Sequence, residues 1–92
     1  MEIEKKYKYI TIKESEDLKN KLKSIHAVFV ILNNKSQSEL GYLFYYPQWK
    51  QYVFTQAQVN MIFNKECLLN IIDFIDYNDR QNKIVDEIMN KF

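Results

Sequence analysis

Residues 40–56 read LGYLFYYPQWKQYVFTQ, and this stretch decides the fold. Six of the twelve residues from Gly41 to Tyr52 are aromatic, and the single proline, Pro47, stands between two β-type runs. Proline presets φ at the first central position of a turn and cannot serve inside a sheet, so the stretch is a hairpin. With Pro47 and Gln48 as a two-residue loop, Tyr46 faces Trp49, Phe44 faces Gln51 and Tyr42 faces Val53. On the other side Tyr45 faces Lys50, Leu43 faces Tyr52 and Gly41 faces Phe54. The second set reads as the inner face, because Gly41 leaves room for the Phe54 ring.

Outward from the hairpin, the alternation of YKYITIK predicts a strand over 7–13. Ser15 is placed to cap a helix over 16–25, with Glu16 and Asp17 in its first turn and Leu18, Leu22 and Ile25 as its stripe. HAVFVILN, 26–33, reads as a central strand covered on both faces. The hairpin strands fall at 40–46 and 49–56. Asn64 caps a helix over 65–77, with Phe63 and Leu68 as a staple and Cys67, Leu68, Ile71, Ile72 and Ile75 along one face. Asp79 starts a second helix over 80–91 bearing Ile84, Val85, Ile88, Met89 and Phe92, unless one long bent helix runs through. The order is strand, helix, three strands, helix, helix. A helix between the first two strands implies a crossover and a parallel pair. The expected fold is therefore α+β, with a mixed sheet of about four strands.

Ninety-two residues make one domain, 1–92, and a chain of this length buries roughly 60–65% of its unfolded surface. The apolar fraction of 47% and the aromatic fraction of 15% fit a folded chain. Thirteen basic against twelve acidic residues leave +1, too little to drive binding to nucleic acid or anionic membrane. The same weak repulsion favours self-association: the terminal stripe Ile84, Ile88 and Phe92 packs either on its own domain or on a second copy, and a homodimer is expected. One Cys excludes an internal disulfide and suits a cytoplasmic setting. The opening MEIEKKYKYI has no long apolar run, so no secretory signal is expected, and no stretch is apolar enough to span a membrane.

No catalytic residues, metal ligands or cofactor emerge. Cys67 near a helix start with His26 as base is outweighed by a buried structural thiol, because Cys67 lies on the apolar stripe. Asp73 and Asp76 read as solvated helix face. One glycine rules out a phosphate loop. Seven lysines among residues 1–23 are offset by five acidic groups. What remains is the first hairpin face. Tyr42, Phe44, Tyr46 and Trp49 form a platform for a planar ligand, with Lys50 and Gln51 supplying charge and amide contacts. A base stacked on such a ring contributes about 1–3 kcal/mol. A helix on each side of the sheet would instead make this face core, and the accessibility of Trp49 decides between the two.

LGYLFYYPQWKQYVF followed by F...CLLNIIDFI resembles a family of small uncharacterised phage and prophage proteins. Gly41, Leu43, Tyr45, Tyr46, Trp49, Gln51, Tyr52, Phe54, Leu68, Ile71, Phe74 and Ile75 match its pattern. Lys50 stands where the family has Arg, and the likeness covers residues 40–78. It implies a phage or mobile-element origin and no reaction. Small phage proteins are often antagonists of host defence, some by sequestering nucleotide signals. The expectation is a non-enzymatic binding protein in the host cytosol, holding a nucleotide-like small molecule. The alternatives are a protein-interaction module that inhibits a host defence protein through the same face, and, less favoured, a binder of single-stranded nucleic acid.

Overall fold

A computed structural model describes residues 3–89. The elements are β1 (Glu4–Lys6), β2 (Ile10–Glu14), α1 (Glu16–Leu22), β3 (Phe29–Asn33), β4 (Glu39–Tyr46), β5 (Gln51–Gln56) and α2 (Lys65–Met89). The five strands form one antiparallel sheet in chain order, each paired with its sequence neighbour. The fold is α+β in a single small domain.

The mixed sheet of about four strands is corrected to this five-stranded meander. A crossover helix must cover a sheet face, and α1 has seven residues with none buried. Ser15 N–H donates to Val28 O at 2.8 Å, so the antiparallel β2–β3 ladder runs on across the connection and α1 is an excursion from it. Of the expected strand over 7–13, residues 7–9 are a turn that follows β1 and only the rest is strand, β2. Asn34 anchors that turn, its Nδ2 donating to Tyr7 O at 2.8 Å and its N–H to Tyr9 O at 2.9 Å.

Ser15 caps α1 by accepting the Leu18 N–H. The helix stops at Leu22 rather than Ile25, because Lys23 adopts the left-handed conformation, φ 52°, and closes the last carbonyls. Leu22 and Ile25 are exposed, so the expected stripe does not pack. The strand expected from His26 begins at Phe29. Its alternation is plain in burial: Phe29 and Ile31 are fully buried, whereas Val30 and Leu32 are half-buried.

The hairpin loop holds four residues, 47–50, in place of two. Trp49 N–H donates to Tyr46 O and Lys50 N–H to Pro47 O, and Lys50 takes φ 52°. Tyr46 consequently faces Gln51, Phe44 faces Val53 and Tyr42 faces Thr55. A shift of two residues moves Trp49 and Lys50 into the loop and keeps every side chain that remains in the strands on its expected face. Gly41 is diagonal to Phe54, and a Cβ there would come within 2.6 Å of both the Phe54 ring and Thr55 O.

The two late helices are one, Lys65–Met89. Asn64 Oδ1 accepts the Cys67 N–H at 2.8 Å, which makes Asn64 the N-cap. Cys67, Ile71 and Phe74 are buried against Ile10, Ile12, Phe29, Ile31, Leu43 and Tyr52. Fully burying an aliphatic or aromatic side chain of this kind contributes about 1.5–3 kcal/mol. Leu68 and Ile72, expected on the same face, are 43% and 52% exposed. Ile84 and Ile88 are also half-exposed. The side chains of Val85 and Met89, positions 90 and 91 of the expected last helix, and Phe92 lie outside the described residues.

Candidate functional site

α2 seals one face of the sheet, the face of Ile10, Ile12, Phe29, Ile31, Leu43 and Tyr52. Strand alternation sends Tyr42, Phe44 and Tyr46 of β4 to the other face. Their cross-strand neighbours there are Val30 on β3 for Tyr42, and Thr55, Val53 and Gln51 on β5. The three rings, Val30, Leu32 and Val53 are all half-buried. They form an apolar strip along β4 that water still reaches. At its end the Trp49 ring is 65% exposed and meets Tyr46 edge-on, centroids 4.9 Å apart at 71°. Trp49 is therefore not core.

Polar groups edge the strip. Tyr42 donates to Glu39 Oε2 at 2.6 Å, and this bond to a carboxylate raises the phenol pKa. A hollow of about 410 Å³ lies beside Val30 and Leu32, walled by Lys13, Glu16, Asp17 and Glu39. A smaller one, about 240 Å³, adjoins it between Glu4, Lys6, Thr11, Asn34 and Gln37. Both signs of charge surround the apolar strip, with neither dominant.

The six residues singled out from the sequence divide into two groups. Tyr42, Phe44, Tyr46 and Trp49 lie together on the open face. Lys50 and Gln51, both exposed, stand at the hairpin tip, where they also border a cleft of about 370 Å³ with Tyr45, Asp79, Asn82 and Lys83 on the α2 side. Gln51 sits directly opposite Tyr46. Sequence reasoning set Val53 on this face but missed Val30 and Leu32. Their signal was period-two alternation inside FVIL, which an unbroken apolar run conceals.

On the sealed face Tyr52 and Tyr7 are engaged in structure. Tyr52 N–H donates to Asp79 Oδ1 at 2.7 Å, and Tyr52 OH donates to Ala27 O at 2.9 Å. Burial, with smaller contributions from Asp79, Glu14 and Tyr45, pushes the Tyr52 phenol up to about 12 against the lowering effect of Asn82. Asn82 Nδ2 itself is buried beside that phenol and, among the described residues, completes no hydrogen bond of normal geometry. Tyr7 donates to Asp73 Oδ2 at 3.1 Å and is likewise raised to about 12, first by burial and then by that carboxylate. His26 stacks on Tyr45, centroids 4.1 Å apart. Cys67 is buried in the core. Among the described residues no three His, Cys, Asp or Glu side chains gather as metal ligands, and no helix is long and apolar enough to cross a membrane.

Comparison with known proteins finds no matching family model, no matching curated protein and no matching solved structure.

Proposed function

We propose that the chain is a non-enzymatic, phage-type binding protein whose open aromatic face holds a planar, nucleotide-like ligand, so as to sequester a host anti-phage signal in the host cytosol. The observation that supports this is the exposed Trp49 ring set edge-on to Tyr46, at the end of a strip holding Tyr42 and Phe44. An exposed indole beside half-exposed phenols offers flat apolar surface with hydrogen-bonding rims. Lys50 and Gln51 at the tip supply a cation and an amide for the ligand's polar groups. Sequestration requires affinity and copy number rather than reacting groups.

A second reading is a protein-interaction module that inhibits a host defence protein. It is favoured by the breadth of the strip, which runs past the rings to Val30, Leu32 and Val53 and exceeds what one base covers. Single-stranded nucleic acid is the least favoured ligand, because charges of both signs rim the face.

Melting temperature measured against a panel of cyclic and ADP-ribose-type nucleotides tests the first reading. A shift with one nucleotide is expected, and it should vanish in Trp49→Ala, whose own melting temperature stays near wild type because the side chain is exposed. No shift with any nucleotide, together with specific retention of one host protein on the wild-type chain but not on Trp49→Ala, would replace it with the second. Affinity for oligonucleotides that falls steeply with salt would instead establish the third.

A further inference from the structure

β5 is the last strand of the sheet, and among the described residues its outer side is paired with no other strand. Hydrogen-bond direction along β5 follows from two fixed points. Ala57 N–H points inward, donating to Leu40 O, and Tyr52 N–H points outward, donating to Asp79. In an antiparallel strand these directions alternate residue by residue, so the N–H and C=O groups of Phe54 and Gln56 project from the free edge. Among the described residues, Asp79 blunts this edge at Tyr52 alone.

The two edges of the sheet differ in chemistry. β1 is three residues long, Glu-Lys-Lys, fully charged and exposed, the usual protection against strand addition. β5 runs Gln-Tyr-Val-Phe-Thr-Gln with no charge, no proline and no bulge. Apolar surface flanks it. Asp79 fixes which side of α2 lies beside the β5 edge, and positions 68, 72 and 75 fall on the same side at helical spacing. Leu68 and Ile72 there are about half exposed, and Ile75 is half-buried. An open strand edge and an apolar helix stripe thus face the same way.

From this arrangement we infer that β5 pairs with β5 of a second copy about a two-fold axis at Thr55, making one continuous ten-stranded sheet. The register is set by the free groups. With Thr55 opposite Thr55 of the second copy, Phe54 lies opposite the second copy's Gln56, and Gln56 opposite its Phe54. Each of these pairs exchanges two main-chain hydrogen bonds, and Tyr52 keeps its bond to Asp79. The same axis leaves α2 of both copies under one face and turns the two Leu68–Ile72–Ile75 stripes towards each other. A second copy is the occupant because the edge is self-complementary: uncharged strand meets uncharged strand and apolar stripe meets apolar stripe. A net charge of +1 opposes the encounter little. The inference is independent of any ligand on the open face, which lies on the other side of the sheet from the stripes.

Sedimentation equilibrium of the full chain tests it at about 100 µM, above the micromolar limit of stable standard-size interfaces. The wild type sediments as a dimer. Thr55→Lys, which sets two cations side by side at the axis, and Ile72→Lys each weaken dimerisation at least tenfold, while circular dichroism stays unchanged. Ile84→Lys, about 140° round the helix from Asp79, leaves the dimer intact. Hydrogen exchange supplies a local readout. The Phe54 and Gln56 amides are protected in the wild-type dimer and exchange fast in Thr55→Lys, whereas Tyr52 is protected in both. A monomeric wild type, or a dimer that only Ile84→Lys dissociates, overturns the inference.

Discussion

Gly41 carries more of the structure than its lack of a side chain suggests. Its Cβ position is already filled by the Phe54 ring and the carbonyl of Thr55, and the carbonyl cannot swing aside without breaking the β4–β5 ladder. Gly41→Ala should therefore destabilise by about 1–3 kcal/mol, the usual cost of overpacking, read as a lower urea midpoint. The pairing of Gly41 with the Phe54 ring was legible in the sequence, because a lone glycine in an aromatic hairpin implies a neighbour that needs the space. Tyr52 was legible as an inner residue but not as a polar anchor. Its hydroxyl reaches Ala27 across the sheet and its N–H reaches α2, and no local pattern in 92 residues announces partners that distant. Tyr52→Phe strands the Ala27 carbonyl and should cost about 1–3 kcal/mol by the same measurement.

At the scale of elements, local chemistry was legible and long-range pairing was not. Ser15 and Asn64 cap their helices as their positions imply, since a cap is decided within three residues. Asn64→Ala should lower stability by about 1 kcal/mol and begin α2 later, seen as lost helical signal on titration with denaturant. The failures lie where several readings share one pattern. YKYITIK alternates whether it is one strand or a strand and a turn, and only Asn34, more than twenty residues on, selects the turn. A seven-residue helix between strands signals a crossover unless its face proves too small to cover a sheet. The hairpin register slipped by two because Lys50 accepts a left-handed conformation that glycine or asparagine would normally advertise. The candidate site survived that slip because an even shift preserves faces.

At the scale of the molecule, both strongly raised phenols tie α2 to the sheet, Tyr7 through Asp73 and Tyr52 beside Asp79. In each the folded pKa stands near 12 against an unfolded value of 10.0, so folding favours the protonated form. The resulting stabilisation is complete below the unfolded value and is lost as the pH rises from 10.0 towards about 12. Urea midpoints should fall across that window, and the fall should be shallower in Tyr52→Phe, which retains only the Tyr7 contribution.

The meander has a temporal side as well. Each strand finds its partner immediately before it in the chain, so the sheet can assemble as it leaves the ribosome, whereas α2 is translated after all five strands. Until α2 docks, Ile10, Ile12, Phe29, Ile31 and Leu43 lie bare to water on the sheet face. A released chain ending at Asn64 should present a sticky ribbon that binds chaperones, while the chain with α2 in place should bind none.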